Sequence, residues 1–302
     1  MKPIDSRSKP AFHLGLTGYP LDGSFSPQIH CAGLRACGLD GDFALFPVAP
    51  EDSRGLDALL ARLRSGEVAG LGVTMPHKEL LIPVLDVLSP EAQRIGAVNA
   101  LCLQDGQLTG FNTDAQGFMA DLRRSFAGLP NGQQGAGSSE KTALVLGAGG
   151  SARAVVYALL SDGWCVTIAA RRHDQADEIG RSLQHANSRP PTVGLRIVDF
   201  ELSDFHASGV SLIVNATPLG MAPRTGACPW PEGRPFPAHA AVYDLVYNPR
   251  ETRLVRRARE AGLEAATGIG MLVEQAALAF ELWTGESAPR EAMFAAVGLQ
   301  GP

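Results

Sequence analysis

The chain contains 302 residues with a formal net charge of −5; 45% of them are hydrophobic and 19% are charged. This length suits two ordinary domains, and the lack of a Lys/Arg-rich run argues against nucleic acid as a partner. No apolar run approaches the roughly 18 residues of a membrane span, and Met1–Pro10 has no apolar core, so we expect a cytoplasmic protein that does not bind membranes. The five cysteines and seven histidines are scattered, which indicates neither a disulfide framework nor a metal site.

The first part of the chain alternates short apolar runs with helical patterns. The predicted strands are 12–17, 42–48, 68–74, 97–103 and 107–110. The predicted helices are 27–37, 57–63 and 114–126. Ser26 is interpreted as the N-cap of the first helix, with Pro27 in its first turn. Asp105-Gly106 predicts a hairpin turn between the last two strands.

A polar, Gly-rich segment, 127–139, then predicts a linker. Further strands are predicted at 165–170, 212–216, 242–246 and 263–266. Two apolar segments, 271–283 and 290–297, close the chain and are expected to pack as helices on the first domain.

The sequence Gly147-Ala148-Gly149-Gly150-Ser151-Ala152 follows an apolar, β-branched run and precedes a helical pattern. This is the strand–turn–helix context of a dinucleotide site. Gly147 permits the tight turn, Gly149 lets the backbone approach a pyrophosphate, and the helix N-terminus offers its N–H groups to the phosphates.

Arg171 and Arg172 follow the next predicted strand. An NAD site usually has an acidic residue near this offset, whereas a guanidinium suits the 2′-phosphate of NADP, so we favour NADP as the cofactor. Asp174 leaves NAD as an alternative, and the two arginines are also compatible with the start of a solvated helix. The predicted fold class is therefore α/β, with a mostly parallel sheet in each of two domains: an N-terminal α/β substrate domain and a Rossmann-type NADP-binding domain, separated by a cleft.

Several polar residues of the first domain lie where predicted strands end. Ser24 and Ser26 precede a helix and form a plausible carboxylate site. Asn99 lies within an apolar run, where its amide needs a partner. Lys78 follows a buried strand and Asp114 begins a helix, and such a pair can hold and transfer a proton during hydride transfer.

The motifs in which these residues occur resemble those of the shikimate dehydrogenase family, including its quinate/shikimate relatives. Ser24-Phe25-Ser26-Pro27 with His30 is similar to the S-x-S-P loop, and 73–78 to V-T-x-P-x-K. The matching motifs further along the chain are 96–99 (G-A-V-N), 110–114 (G-x-N-T-D), 215–221 (N-A-T-P-x-G-M), 243–249 and 270–277. The order of the motifs is that of the family, from about Leu14 to Ala288.

The resemblance implies NADP-linked interconversion of 3-dehydroshikimate and shikimate, with Lys78 and Asp114 as the catalytic pair. The implied substrate contacts are Ser24, Ser26, Thr74, Asn99, Tyr247 and Gln275. The implied cofactor contacts are Gly147, Ala148, Gly149, Gly150, Ser151, Arg171, Arg172, Thr217, Met221 and Gly270. We expect a substrate domain of residues 11–126 plus 268–302 and a dinucleotide domain of residues 140–267, in a monomer or homodimer.

The chain departs from the family pattern at Gly72, at Ala170-Arg171-Arg172 and at Thr267, where the family often has Asn, N-R-T and an acid. These departures bear on cofactor preference and substrate breadth. A paralogue acting on quinate or with NAD is therefore the first alternative. A non-catalytic NADP-binding regulatory protein is the second, and a related methylene-tetrahydrofolate dehydrogenase is the third.

Overall fold

Two six-stranded sheets organise the chain in a computed structural model that describes residues 11–129, 141–184, 194–202 and 209–301. The first sheet consists of β1 (Phe12–Gly18), β2 (Gly41–Pro47), β3 (Gly70–Val73), β4 (Val87–Leu88), β5 (Ala100–Gln104) and β6 (Gln107–Phe111). The second consists of β7 (Thr142–Leu146), β8 (Cys165–Ala170), β9 (Leu195–Asp199), β10 (Leu212–Asn215), β11 (Ala241–Asp244) and β12 (Ala265–Thr267).

Helices cover both sheets. They are α1 (Ser26–Ala36), α2 (Ser53–Arg64), α3 (His77–Leu80), α4 (Pro90–Ile95), α5 (Asp114–Ser125), α6 (Gly150–Ser161), α7 (His173–Gln184), α8 (Arg253–Glu260), α9 (Ile269–Thr284) and α10 (Arg290–Ala296), with a short 3₁₀ turn at Ile82–Val84. None of the helices in the described ranges combines the length and apolar character needed to cross a bilayer. The predicted linker 127–139 lies outside the described residues from residue 130 onward.

The first sheet has the order β2-β1-β3-β5-β6-β4 and is mostly parallel, as predicted, with β5 as its one reversed strand among the described residues. Strand β1 pairs in parallel with β2 and β3, but β5 is antiparallel to both β3 and β6. The predicted hairpin joins β5 to β6 and returns the chain to the direction of the other strands. Asp105 and Gly106 both have positive φ, at 51° and 78°, as a two-residue hairpin turn requires.

The second sheet is parallel throughout the described strands, with the order β12-β11-β10-β7-β8-β9. Its strand order reverses between β7 and β10. Ligands of open α/β sheets bind in the crevice beyond the carboxyl ends of the strands at such a point. The turn that begins with Gly147 lies there, directly after β7.

The C-terminal helices α9 and α10 return to the first sheet, as predicted. Val273, Phe280 and Phe294 are fully buried and belong to one apolar cluster with Leu14 and Ile29 of the first domain. This return places the N-terminal end of α9 beside the cleft between the sheets.

Candidate active site

A cavity of about 270 Å³ lies between the two sheets and is lined from both sides. The predicted site residues on its wall are Ser24, Ser26, Thr74, Lys78, Asn99, Asp114, Ser151, Thr217, Met221, Tyr247 and Gln275. They come from strand ends and helix starts that are far apart in the sequence. The cavity wall does not include Gly147, Ala148, Gly149, Gly150, Arg171, Arg172 or Gly270.

A buried ion pair lies at the centre of this wall. Lys78 Nζ is 2.5 Å from Asp114 Oδ2, and the two side chains are only 11% and 5% exposed. Lys78 is in α3, directly after the loop that leaves β3, while Asp114 is the first residue of α5. Lys78 Nζ also donates to Ser151 Oγ at 3.3 Å, so the pair faces the dinucleotide turn, residues 147–152.

Two asparagines fix the position of Asp114. Asn112 Oδ1 accepts from the backbone N–H of Asp114 at 3.1 Å and so holds the first residue of α5 in place. Asn99 Nδ2 donates to Asp114 Oδ1 at 2.9 Å and to Thr113 Oγ1 at 2.8 Å. Asn99 lies in a bend directly before β5. The sequence prediction, which placed Asn99 inside the strand, was therefore wrong. The bend frees both ends of its amide for this network.

The serine loop, residues 24–27, differs from its prediction in one respect. Phe25, not Ser26, occupies the N-cap position of α1. The hydroxyl of Ser24 accepts from the backbone N–H of Ser26 at 3.3 Å, so it supports the start of α1 while it lines the cavity. Ser26 is buried and also lines the cavity.

Tyr247, from the loop after β11, reaches across the cleft to this serine loop. Its ring lies 5.8 Å from that of Phe25 between centroids. Burial raises the pKa of the Tyr247 hydroxyl, while a hydrogen bond with Ser24 lowers it in part. The phenol is therefore a neutral hydrogen-bonding group beside Ser24.

Thr74 and Gln275 complete the polar wall. Thr74 is half-buried at the end of β3, where its backbone N–H donates to Thr17 O at 2.9 Å. Gln275 projects from α9, and its Oε1 accepts from Asn99 Nδ2 at 3.1 Å. Gln275 thereby connects the C-terminal helix to the network around Asp114.

The glycine-rich turn has the shape that a dinucleotide phosphate needs. Gly147 has φ 107°, and a Cβ there would lie 2.9 Å from Thr217 Cγ2. Gly149 is the N-cap of α6 and is exposed, and no described atom would lie within 4 Å of a Cβ added to it. The open space over this helix start fits a pyrophosphate group.

Arg171 and Arg172 are exposed beyond the end of β8, the strand next to β7. Ala148 is buried and packs into the core of the dinucleotide domain. Gly270 is buried on the other side of α9, where an added Cβ would meet the side chains of Asp121 and Arg124. The structure therefore gives Gly270 a close helix contact, while its neighbour Met271 lines the cavity.

A second polar network positions the loop that carries Thr217 and Met221. Asn215 Oδ1 accepts from Thr217 Oγ1 at 2.7 Å, and Asn215 Nδ2 donates to Asp244 Oδ1 at 2.8 Å. Burial raises the pKa of Asp244 to about 6, although hydrogen bonds from Thr252, the Val246 backbone and Asn215 lower it in part.

The sequence motif gave His30 no role, but the structure places its ring on the cavity wall. The imidazole is 3% exposed and stacks on Phe43, with the centroids 4.5 Å apart. No described residue forms a hydrogen bond with its Nδ1. Burial lowers the pKa of His30 to about 3. The ring is thus a neutral part of the wall near Ser26.

Residues 16–101 match the model of the shikimate dehydrogenase substrate binding domain, and residues 268–297 match that of the shikimate 5'-dehydrogenase C-terminal domain. The chain is 42% identical to the shikimate dehydrogenase (NADP(+)) of Salinibacter ruber over 93% of this chain and 95% of that protein. The chain belongs to the shikimate dehydrogenase family. A second family member, from Methanopyrus kandleri, is 39% identical over 94% of each chain.

Solved structures of the family share this architecture. Shikimate 5-dehydrogenase from Thermus thermophilus, in complex with NADP(H) and shikimate, aligns with a TM-score of 0.76 at 37% identity, over 94% of this chain and 98% of that one. Quinate dehydrogenase from Corynebacterium glutamicum, in complex with NAD, aligns with a TM-score of 0.81 at 30% identity, over 95% and 98%. The predicted α/β fold with a substrate domain and a Rossmann-type domain is therefore confirmed.

Proposed function

We propose that this chain is an NADP-dependent shikimate dehydrogenase, which interconverts 3-dehydroshikimate and shikimate. The observation that carries the proposal is the buried Lys78–Asp114 pair, which lies between the serine loop and the dinucleotide turn. Relatives named as NADP-dependent shikimate dehydrogenases match more than nine-tenths of the chain.

The reaction needs a hydride and a proton at one ring carbon–oxygen bond. When bound, NADP(H) supplies the hydride chemistry. Lys78 Nζ is the group that donates a proton to the carbonyl oxygen during reduction and takes one from the hydroxyl during oxidation. Asp114 orients the ammonium group, and Asn99 in turn fixes the carboxylate by its 2.9 Å hydrogen bond. The pair is sheltered from water, which strengthens its effect on charge that develops at the oxygen.

The remaining polar wall suits a rigid ring that carries a carboxylate and several hydroxyls. Ser24, Ser26 and Tyr247 are the proposed carboxylate contacts. Thr74, Asn99 and Gln275 are the proposed hydroxyl contacts. A site that satisfies these groups rejects analogues, because a missing hydroxyl leaves a buried polar group without its partner.

The cofactor contacts that we propose are Gly147, Ala148, Gly149, Gly150, Ser151, Thr217, Met221 and Gly270, with Arg171 and Arg172 at the 2′-phosphate. Open space over Gly149 supports the pyrophosphate position, and exposure of both arginines at the end of β8 supports NADP over NAD. The similarity to an NAD-bound quinate dehydrogenase keeps quinate and NAD as the second candidates.

We also propose a substrate domain of residues 11–126 plus 268–302 and a dinucleotide domain of residues 140–267. Membership of the two sheets supports this division, as does the burial of α9 and α10 in the first core. We further propose that the enzyme is cytoplasmic and acts on a small molecule. It binds no nucleic acid, and it is a monomer or a homodimer. The net charge of −5 supports the absence of a nucleic-acid partner.

The first test measures initial rates at 340 nm, the absorption band of the reduced nicotinamide. Shikimate and quinate are each assayed with NADP and with NAD. Strong activity only with shikimate and NADP is the expected result. Higher rates with quinate or NAD would move the chain to the quinate/shikimate group. Tight NADP binding without turnover would indicate the regulatory protein instead.

The second test measures the turnover of the Lys78→Ala and Asp114→Asn variants. Turnover is expected to fall by roughly 10²- to 10⁴-fold in Lys78→Ala, because the proton donor is lost, with little change in shikimate affinity. Lys141→Ala is a matched control, since Lys141 is also 11% exposed and pairs with an aspartate at 2.9 Å, but outside the cavity. Equal turnover in Lys78→Ala and Lys141→Ala would remove Lys78 from the mechanism.

A further inference from the structure

A buried arginine joins the two domains behind the cavity. Arg153, in α6, is 4% exposed. Its Nη2 donates to Glu178 Oε2 of α7 at 2.9 Å, and its Nε lies 3.1 Å from Glu79 Oε2 of α3. One guanidinium therefore contacts a carboxylate of the dinucleotide domain and a carboxylate of the substrate domain.

Glu79 is the residue directly after Lys78, and both belong to the four-residue helix α3. This helix lies on the first turn of α6. A Cβ added to Gly150 would be 3.0 Å from Lys78 Cβ, and Lys78 Nζ reaches Ser151 Oγ at 3.3 Å. The Glu79–Arg153 pair continues this contact along α6.

The guanidinium has little room to move. A Cβ added to Gly96 would lie 3.2 Å from Arg153 Nη1. Within the described residues, none accepts a hydrogen bond from Arg153 Nε, although Glu79 Oε2 is 3.1 Å away. The attraction between Glu79 and Arg153 is therefore ionic, and it acts on a carboxylate attached to the backbone of α3. A buried cation that loses such a partner is destabilised, so the attraction opposes separation of α3 from α6.

We propose that Arg153 is a positioning residue, which acts through Glu79 to keep Lys78 against the start of α6. The inference rests on the proposed function, since that function assigns proton transfer to Lys78. Small displacements of a reacting group are costly: a 1 Å misplacement can reduce turnover on the order of 100-fold. The ion pair thereby sets the distance between the proton donor and the dinucleotide turn.

The test compares two isosteric variants that act on the same guanidinium. Glu79→Gln removes the carboxylate attached to α3, whereas Glu178→Gln removes the one on α7, which is 54% exposed. We expect Glu79→Gln to lower kcat roughly 10- to 100-fold, with the KM values for shikimate and NADP nearly unchanged. Glu178→Gln is expected to retain kcat to within about threefold. Equal losses in the two variants, or an unchanged kcat in Glu79→Gln, would overturn the proposal.

The pH profile of kcat separates positioning from a direct effect of the Glu79 charge on Lys78. Positioning lowers kcat at every pH and leaves the shape of the profile unchanged. A profile that moves along the pH axis while its maximum is retained would overturn the proposal in favour of the charge effect.

A third measurement needs neither substrate nor cofactor. The backbone N–H of Leu81 donates to His77 O at 3.1 Å, so its hydrogen exchange reports on α3. Exchange in the ligand-free protein is expected to be faster in Glu79→Gln than in Glu178→Gln, and equal rates would contradict the role of the ion pair. If the unaltered protein turned over no substrate, the proposed function would fail, while this comparison would still test whether Glu79 secures α3.

Discussion

Replacement of His30 with Phe is expected to make the protein more resistant to acid. In the unfolded chain the imidazole takes up a proton near pH 6.5, whereas burial lowers its pKa in the folded protein to about 3. Between these values the unfolded state binds more protons than the folded state, so the free energy of unfolding falls as the pH falls. The loss from this one group is about 1.4 kcal/mol per pH unit below 6.5, or about 2 kcal/mol between pH 7 and pH 5.

Urea unfolding of the ligand-free protein at several pH values measures this effect. Phe keeps a ring against Phe43, and His30→Gln serves as a second variant if the larger ring is not accommodated. The informative quantity is the difference in free energy of unfolding between variant and unaltered protein, which should grow in the variant's favour by about 2 kcal/mol from pH 7 to pH 5. His13→Gln is the control, because His13 is 55% exposed in the same domain. A difference that does not change with pH would refute the idea that His30 is buried in its neutral form.

Two further predictions concern the cofactor. Arg171→Ala should weaken NADP binding roughly 10- to 100-fold, which is the loss expected for a charged hydrogen bond, and should leave NAD binding unchanged. Fluorescence titration measures both affinities. Equal effects on NADP and NAD would show that Arg171 does not contact the 2′-phosphate. Gly149→Val should weaken NADP binding at least about tenfold, because the side chain enters the space proposed for the pyrophosphate. The same change should lower the free energy of unfolding by only about 1 kcal/mol, because Val is a poorer N-cap residue than Gly, while no described atom lies within 4 Å of the added Cβ. A loss of several kcal/mol would count against this account.

Sequence patterning predicted most of the elements that form the two sheets. The apolar runs became β1, β2, β3, β5 and β6 and the strands of the second sheet that surround the glycine turn. It missed elements that are short. Helix α8 has eight residues, of which only Leu254, Val255 and Ala258 form its buried face, and strand β4 has two residues, so neither fills the window over which an apolar period is read.

The sequence predicted those residues of the candidate site that lie at motif positions next to strand ends. The N-cap assignment of Ser26 failed because the helix begins one residue earlier than the spacing suggested, and local patterning does not fix a helix boundary to one residue. The Arg153–Glu79 contact could not be predicted at all. Its partners lie in different domains, and only the packing of α3 on α6 brings them together.

The return of α9 and α10 to the first sheet has a consequence for how the chain folds during synthesis. The domain that is translated first is the last to be complete, because Val273, Phe280 and Phe294 are fully buried parts of its core. Gln275, on the same segment, also completes the polar wall around Asn99. A nascent chain that has emerged only as far as β12 therefore contains a complete second sheet but an unfinished first core, with apolar surface that remains exposed until the last helices leave the ribosome.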